Sequence, residues 1–246
     1  MAEARALDRP GSDPPEDGAA ALLLTGEVEV KGRIPWSSNG TFLVSVRAPD
    51  EMLAIYKPAR GERPLWDFPR GLWKREVAAY QLAKSLGWDM VPCTIAREDG
   101  PFGPGSLQLF VEADPEEHYF TLLGQPQHDA DLRRIGAFDL VANNADRKSG
   151  HCLLDAEGRI WAIDNGLCFH AEPKLRTVIW DFAGERVSPD LLEALRPLSL
   201  GEVPASLGDL LEQEETDALV ARAAALTREP RFPSPRTEYH YPWPLI

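Results

Sequence analysis

Cysteine is scarce in this chain: its 246 residues include three, Cys93, Cys152 and Cys168. An odd, sparse set builds no disulfide framework and fits a reducing compartment. His151, Cys152, Cys168 and His170 invite a zinc reading, but the short paired spacing of zinc fingers and zinc ribbons is missing. Long apolar runs are missing too. The longest, Ala19 to Leu24, falls far short of the roughly 20 residues a membrane span requires. The early residues Asp13-Pro14-Pro15-Glu16-Asp17 are acidic and proline-rich, unlike a basic, apolar signal peptide. Positive charge is also in short supply, with 26 Lys and Arg against 39 Asp and Glu and a net charge of −13. Such acidity disfavours nucleic acid and anionic membranes as standing partners. The expectation is a soluble cytoplasmic protein with no nucleic-acid partner and no stable membrane attachment. Only six of the 26 basic residues are lysines, so each lysine needs its own explanation.

What is present is ordinary globular material, 43% hydrophobic and 26% charged. The length suits one large domain or two intimate lobes, and no internal repeat is visible. Residues 1–20 read as a disordered leader rich in Pro, Gly, Ala and acids. Extended runs at Glu27–Ile34, Thr41–Ala48 and Met52–Lys57, parted by turn residues, predict an antiparallel meander. Gly71 to Trp88 reads as a helix, with Ala79, Leu82, Ala83 and Leu86 on one face. Val91–Arg97 and Ser106–Glu112 return to strand character. Beyond them come a helix over Ala130–Asn143, a polar segment, and a hairpin of His151–Asp155 and Arg159–Asp164. Helices over Asp190–Leu195 and Leu207–Thr227, the second capped by Ser206, precede a Pro/aromatic tail expected to pack on them. The division is therefore a leader (1–20), a strand-rich lobe (21–113) and a mainly helical lobe (114–246), an α+β architecture.

The chemistry starts at Glu76, which shares the core-facing side of its helix with Ala79 and Ala83. A carboxylate there needs a cation. Lys57, at the end of a strand closed by Pro58, is a suitable partner, and such a pair orients an ammonium toward nucleotide phosphates. The stronger constellation is Asn144-Ala145-Asp146-Arg147-Lys148-Ser149-Gly150-His151, followed by Ala162-Ile163-Asp164-Asn165-Gly166. Phosphoryl transfer needs an acid near the attacking hydroxyl, metal ligands beside the nucleotide and cations for the γ-phosphate. Asp146 suits the first role and Lys148 the last. His151, five residues after Asp146, and Asp164, thirteen further on, stand where kinases place their metal ligands.

At this point the sequence resembles a family. Gly105-Ser106-Leu107-Gln108-Leu109-Phe110-Val111-Glu112, Glu76-Val77-Ala78-Ala79-Tyr80 with Val91-Pro92, and Ala162-Ile163-Asp164-Asn165-Gly166-Leu167 look like type II phosphatidylinositol 4-kinases. The likeness runs from about residue 36 to 170, and the chain as a whole is most similar to a mainly actinobacterial group related to phosphatidylinositol 3- and 4-kinases. The resemblance implies a two-lobed protein-kinase-like fold and ATP with Mg²⁺, or Mn²⁺, as cofactors. Carried over, Ser38, Asn39, Gly40 and Thr41 would lie in the phosphate-covering loop. Lys57 would bind the phosphates with Glu76 orienting it. Phe110 and Val111 would offer hinge backbone to adenine, Asp146 would be the catalytic base, and Asp164 the main metal ligand.

His151 departs from the pattern, standing where the family has Asn, and its metal role competes with a supporting or substrate-binding one. Lys174 and Arg176 are the only early cations after Asp164, where a lipid kinase would offer a richer basic patch to an inositol headgroup. The leading expectation is therefore a kinase acting on a hydroxyl of a protein or small molecule. The alternatives are a pseudokinase that binds nucleotide without turnover, a phosphatidylinositol kinase, and nucleotidyl transfer on the same fold.

Overall fold

The computed structural model describes residues 16–35, 37–47 and 51–246. Most of the expected leader, Ala48, and Pro49-Asp50 of the expected Pro49-Asp50-Glu51 turn lie outside the described residues. The start of the described chain corrects one expectation: helix α1 spans Glu16–Thr25, so residues 16–20 are helical. Proline and acidic neighbours masked its short apolar core, whose Ala19, Leu22 and Leu23 are buried. Its C-terminal end is fastened by Arg97, whose guanidinium donates to the carbonyls of Leu23 at 2.9 Å and Gly26 at 2.7 Å. These contacts satisfy acceptors that a helix end leaves open.

The first lobe is one antiparallel sheet of β1 (Glu27–Arg33), β2 (Phe42–Arg47), β3 (Glu51–Pro58), β4 (Thr94–Arg97) and β5 (Gly105–Leu109). Its spatial order is β1-β2-β3-β5-β4. The expected meander forms, with β3 paired on its other side to β5. Period-two alternation along β3 turns Met52, Ala54 and Tyr56 into the core. Leu53, Ile55 and Lys57 take the opposite, more open face. Helix α2 (Leu72–Ser85) packs on β4 and β5 and carries Glu76.

The second lobe holds α3 (Tyr119–Leu122), α4 (Asp129–Ala142), the hairpin of β6 (Cys152–Leu154) and β7 (Ile160–Ala162), α5 (Pro189–Ser199) and α6 (Gln213–Arg228). Sequence periodicity alone starts α6 at Leu207. Instead Ala205–Leu207 forms a 3-10 turn and the helix opens six residues later, at a capping box made by Glu212 and Glu215. Leu207 and Leu211 are buried ahead of the helix, which explains the apparent continuity of the apolar pattern. One hydrophobic core runs through both lobes. The Pro/aromatic tail packs on the second lobe: the Leu245 carbonyl accepts from the Ser149 amide at 2.8 Å and the His240 carbonyl from the Thr177 amide at 3.0 Å.

Candidate active site

Lys57 sits at the end of β3, where the strand directs it away from the core, and Pro58 closes the strand behind it. Its ammonium donates to Glu76 Oε1 from α2 and to Asp164 Oδ1 from the second lobe, the latter at 2.8 Å. One cation thus joins three segments of chain. Burial disfavours the Lys57 ammonium, but Asp164 and Glu76 outweigh it and hold its pKa above the ordinary value, so the group stays charged. Burial pushes the Glu76 carboxyl up against the pull of Lys57, and its second oxygen accepts the Asn165 amide at 2.9 Å. Gly166 follows for reasons of space, since a Cβ there would stand 3.1 Å from Glu76 Oε1.

Asp164 has φ 57°, a left-handed backbone that Asp and Asn tolerate better than most residues. The turn lifts its carboxylate out of β7, with 53% of the side chain open. Lys57 holds it well below the usual carboxylate range. Its other oxygen lies 3.4 Å from His151 Nε2. His151 Nδ1 accepts the Lys148 amide at 3.3 Å, and burial lowers the imidazole pKa to about 4, so the ring is neutral near pH 7. With Nδ1 accepting, the proton resides on Nε2. His151 therefore stands beside Asp164 as a neutral imidazole with Nε2 turned toward the carboxylate. Among the described residues no cluster of three His, Cys, Asp or Glu is arranged to hold an ion. Asp164 is the carboxylate that would hold a divalent metal, and His151 Nε2 stands 3.4 Å from it.

Asp146 lies in the loop between α4 and the 3-10 turn Ser149–His151. Asn144 Oδ1 accepts its amide at 2.9 Å, fixing the loop. Burial raises the Asp146 carboxyl to about 6, and Asp164 adds to this while Lys148 and Arg176 oppose it. Lys148 Nζ is 3.4 Å from Asp146 Oδ2. Beneath this loop is a pair that sequence patterning did not single out. Arg147, with no exposed surface, donates to both oxygens of the equally buried Asp139 at 3.0–3.2 Å. It also donates to the Ile163 carbonyl at 2.7 Å and to Asn165 Oδ1 at 2.6 Å. It thereby ties the Asp146 loop to the turn that carries Asp164. The signal for Asp139 was an acid on the apolar arc of α4, beside Phe138 and Val141.

Lys57, Glu76, Asp146, Lys148, His151 and Asp164 are thus brought together. The Ser38–Thr41 loop is fastened to the turn just after Lys57: the Gly40 amide donates to the Gly61 carbonyl at 2.9 Å, and Asn39 Oδ1 accepts the Arg63 amide at 3.0 Å. Gly40 is needed for close approach, because a Cβ there would lie 3.0 Å from Gly61 Cα. Its amide is thereby committed to Gly61. Phe110 and Val111 follow β5 on the path between the lobes, with the Phe110 amide donating to the Leu53 carbonyl at 3.0 Å.

No protein-family model matches the chain. It is 38% identical over 268 residues to Protein Rv2133c of Mycobacterium tuberculosis strain H37Rv, a match covering 94% of this chain and 96% of that protein. Among solved structures, the Golgi casein kinase with Mn/ADP bound superposes with a TM-score of 0.58 at 16% identity, covering 87% of this chain and 74% of that one. Hydra Fam20 with sugar gives 0.55 at 14% identity, covering 84% and 86%. The Helicobacter pylori proinflammatory kinase CtkA gives 0.52 at 12%, covering 85% and 94%. The fold is protein-kinase-like, as the two-lobed α+β expectation had it.

Proposed function

The chain belongs to the family of the mycobacterial Protein Rv2133c, and we propose that it is an ATP- and divalent-metal-dependent phosphotransferase acting on a hydroxyl. The observation that carries this reading is the Lys57 ammonium held between Glu76 and Asp164, at the junction of the two lobes. An arriving nucleotide would take over the Asp164 side of that ammonium, while Glu76, anchored by the Asn165 amide, would keep it oriented on the α- and β-phosphates. The Mn/ADP bound to the Golgi casein kinase supports nucleotide and metal as cofactors here. A metal held by Asp164 and phosphate oxygens would neutralise phosphate charge.

The acceptor oxygen forms its bond to the γ-phosphorus as the bond from that phosphorus to the β–γ bridging oxygen breaks. The hydroxyl proton passes to the Asp146 carboxylate, and ADP departs. A carboxyl titrating at about 6 is ionised near neutrality yet basic enough to receive a proton. Lys148, beside Asp146, offsets charge on the transferring group. His151, with Nε2 3.4 Å from the Asp164 carboxylate, would support it or share its metal.

A soluble protein or small molecule ranks ahead of a phosphoinositide as acceptor, because Lys174 and Arg176 are already engaged by Asp67, at 4.0 and 3.5 Å. A nucleotide-binding pseudokinase is the second reading, favoured by an imidazole, a poorer Mg²⁺ ligand than oxygen, at the second metal position. Incubation with γ-labelled ATP, Mg²⁺ or Mn²⁺, and lysate split into protein, lipid and small-molecule pools separates these. Label entering the protein or small-molecule pool is expected. Binding of ATP and metal, seen as thermal stabilisation, with no label transferred to any pool would favour the pseudokinase.

A further inference from the structure

Helix α2 presents two neighbouring charges in different directions. Glu76 turns to Lys57, whereas Arg75, about 100° around the helix, turns to the second lobe and forms a buried ion pair with Glu215 of α6. Both partners are almost fully enclosed, at 4% and 7% exposure. The Arg75 guanidinium also lies 5.4 Å from the centre of the Phe68 ring and reaches the Gly71 carbonyl at 3.4 Å. Glu215 is held from its own side, because its other oxygen accepts the Glu212 amide at 3.0 Å in the α6 capping box. A carboxylate at this position is further favoured by the helix dipole. The 3-10 turn Ala205–Leu207, just ahead of α6, packs on α2 as well.

A second observation concerns the segment after the Asp164 turn. Between Gly166 and Val187 the only hydroxyl side chain is Thr177. It is 2% exposed, and its hydroxyl donates to Asp139 at 3.0 Å. This segment therefore offers no open Ser, Thr or Tyr whose phosphorylation could draw α2 into place.

We propose that the Arg75–Glu215 pair is a built-in latch that holds α2 against the second lobe and so keeps Glu76 on Lys57 and on the Asn165 amide. Arg75 and Glu215 are positioning residues that act through Glu76; what they position matters for phosphate transfer only if the proposed function holds. The latch supplies from within the chain what a modified segment would otherwise have to supply.

The test reads the Asn165 amide, which donates to Glu76 and needs neither substrate nor turnover. In Arg75→Met, hydrogen exchange at Asn165 should accelerate at least tenfold, while the Ala145 amide, bonded to the Leu167 carbonyl at 2.9 Å, keeps its protection. Glu215→Gln, which retains a residue able to complete the capping box, should show the same selective loss to a smaller degree and serves where Arg75→Met fails to fold. A folded variant whose Asn165 amide exchanges as slowly as in the unaltered protein overturns the latch. Loss of protection at Asn165 and Ala145 alike also overturns it, by showing a general structural role. In the active enzyme, kcat should fall by more than KM for ATP changes. Absence of any phosphate transfer would sink the functional proposal and leave the exchange result to decide the latch.

Discussion

Two carboxylate–cation pairs lie close together in this molecule and have opposite characters. Asp139 and Arg147 are sealed, and every bond of the guanidinium is directed at a fixed protein acceptor. Lys57 and Asp164 are matched in charge in the same way, but half of the Asp164 side chain is open and its backbone is held in a left-handed turn. Burial decides what each can do. The enclosed pair cannot exchange partners without stranding a charge, so it works as a fastener. The open pair can exchange a carboxylate for phosphate, so it can work on a substrate.

Breaking the enclosed pair should have the largest effect. Asp139→Ala leaves Arg147 buried without its counter-ion and should cost about 3–5 kcal/mol of folding stability, read as a shift in the urea unfolding midpoint. A loss under about 1 kcal/mol would mean that the pair is not the fastener described. Asp164→Asn should do the reverse. Asn tolerates the left-handed backbone, so the unfolding midpoint should move little, while phosphate transfer falls by about 10²-fold or more. Retained transfer in that variant would remove Asp164 from the site. This substitution is cleaner than Asp164→Ala, which adds backbone strain to the loss of the carboxylate.

The smallest effect on stability is a matter of pH. Folding raises the Asp146 carboxyl from 3.8 to about 6, so the folded state binds that proton more tightly than the unfolded chain does. Its contribution to stability is complete below about pH 4, declines as pH rises through about 6, and is level above that. Activity should run the other way, with kcat/KM rising through about pH 6 as the base ionises. Asp146→Asn should flatten both profiles, leaving a protein no less stable at pH 8 and much less active. An acid limb that persists unchanged in the variant would assign the titration to another group.

The residues of the open pair, and Asp146 beside them, were legible in the sequence because each stands at a local boundary: Lys57 before a proline, Asp164 at the close of a strand before Asn165-Gly166, and Asp146 in a polar loop after a helix. Glu76 was legible from helical period only once Lys57 offered it a partner. The fasteners were hidden for the opposite reason. Arg75 and Glu215 are 140 positions apart, and no local periodicity links them. Asp139 interrupts an apolar face with a charge whose partner becomes visible only when the loop folds back. Helix α1 and the late start of α6 were missed where short apolar runs lay beside turn-forming or acidic residues. His151 was legible as a position but not as a tautomer, because the Lys148 amide that sets its proton is a backbone group.

The hydrogen bond from Ser149 to the Leu245 carbonyl carries a consequence for biosynthesis. A chain made from its amino end exposes Ser149 roughly 100 residues before its acceptor emerges, or about 5–20 s at ordinary elongation rates. For most of that interval every side chain proposed for phosphate transfer is already exposed, yet the turn beside Lys148 lacks one of its anchors. The turn beside Lys148 is thus anchored later than the reactive groups appear, by a residue roughly 100 positions further along the chain.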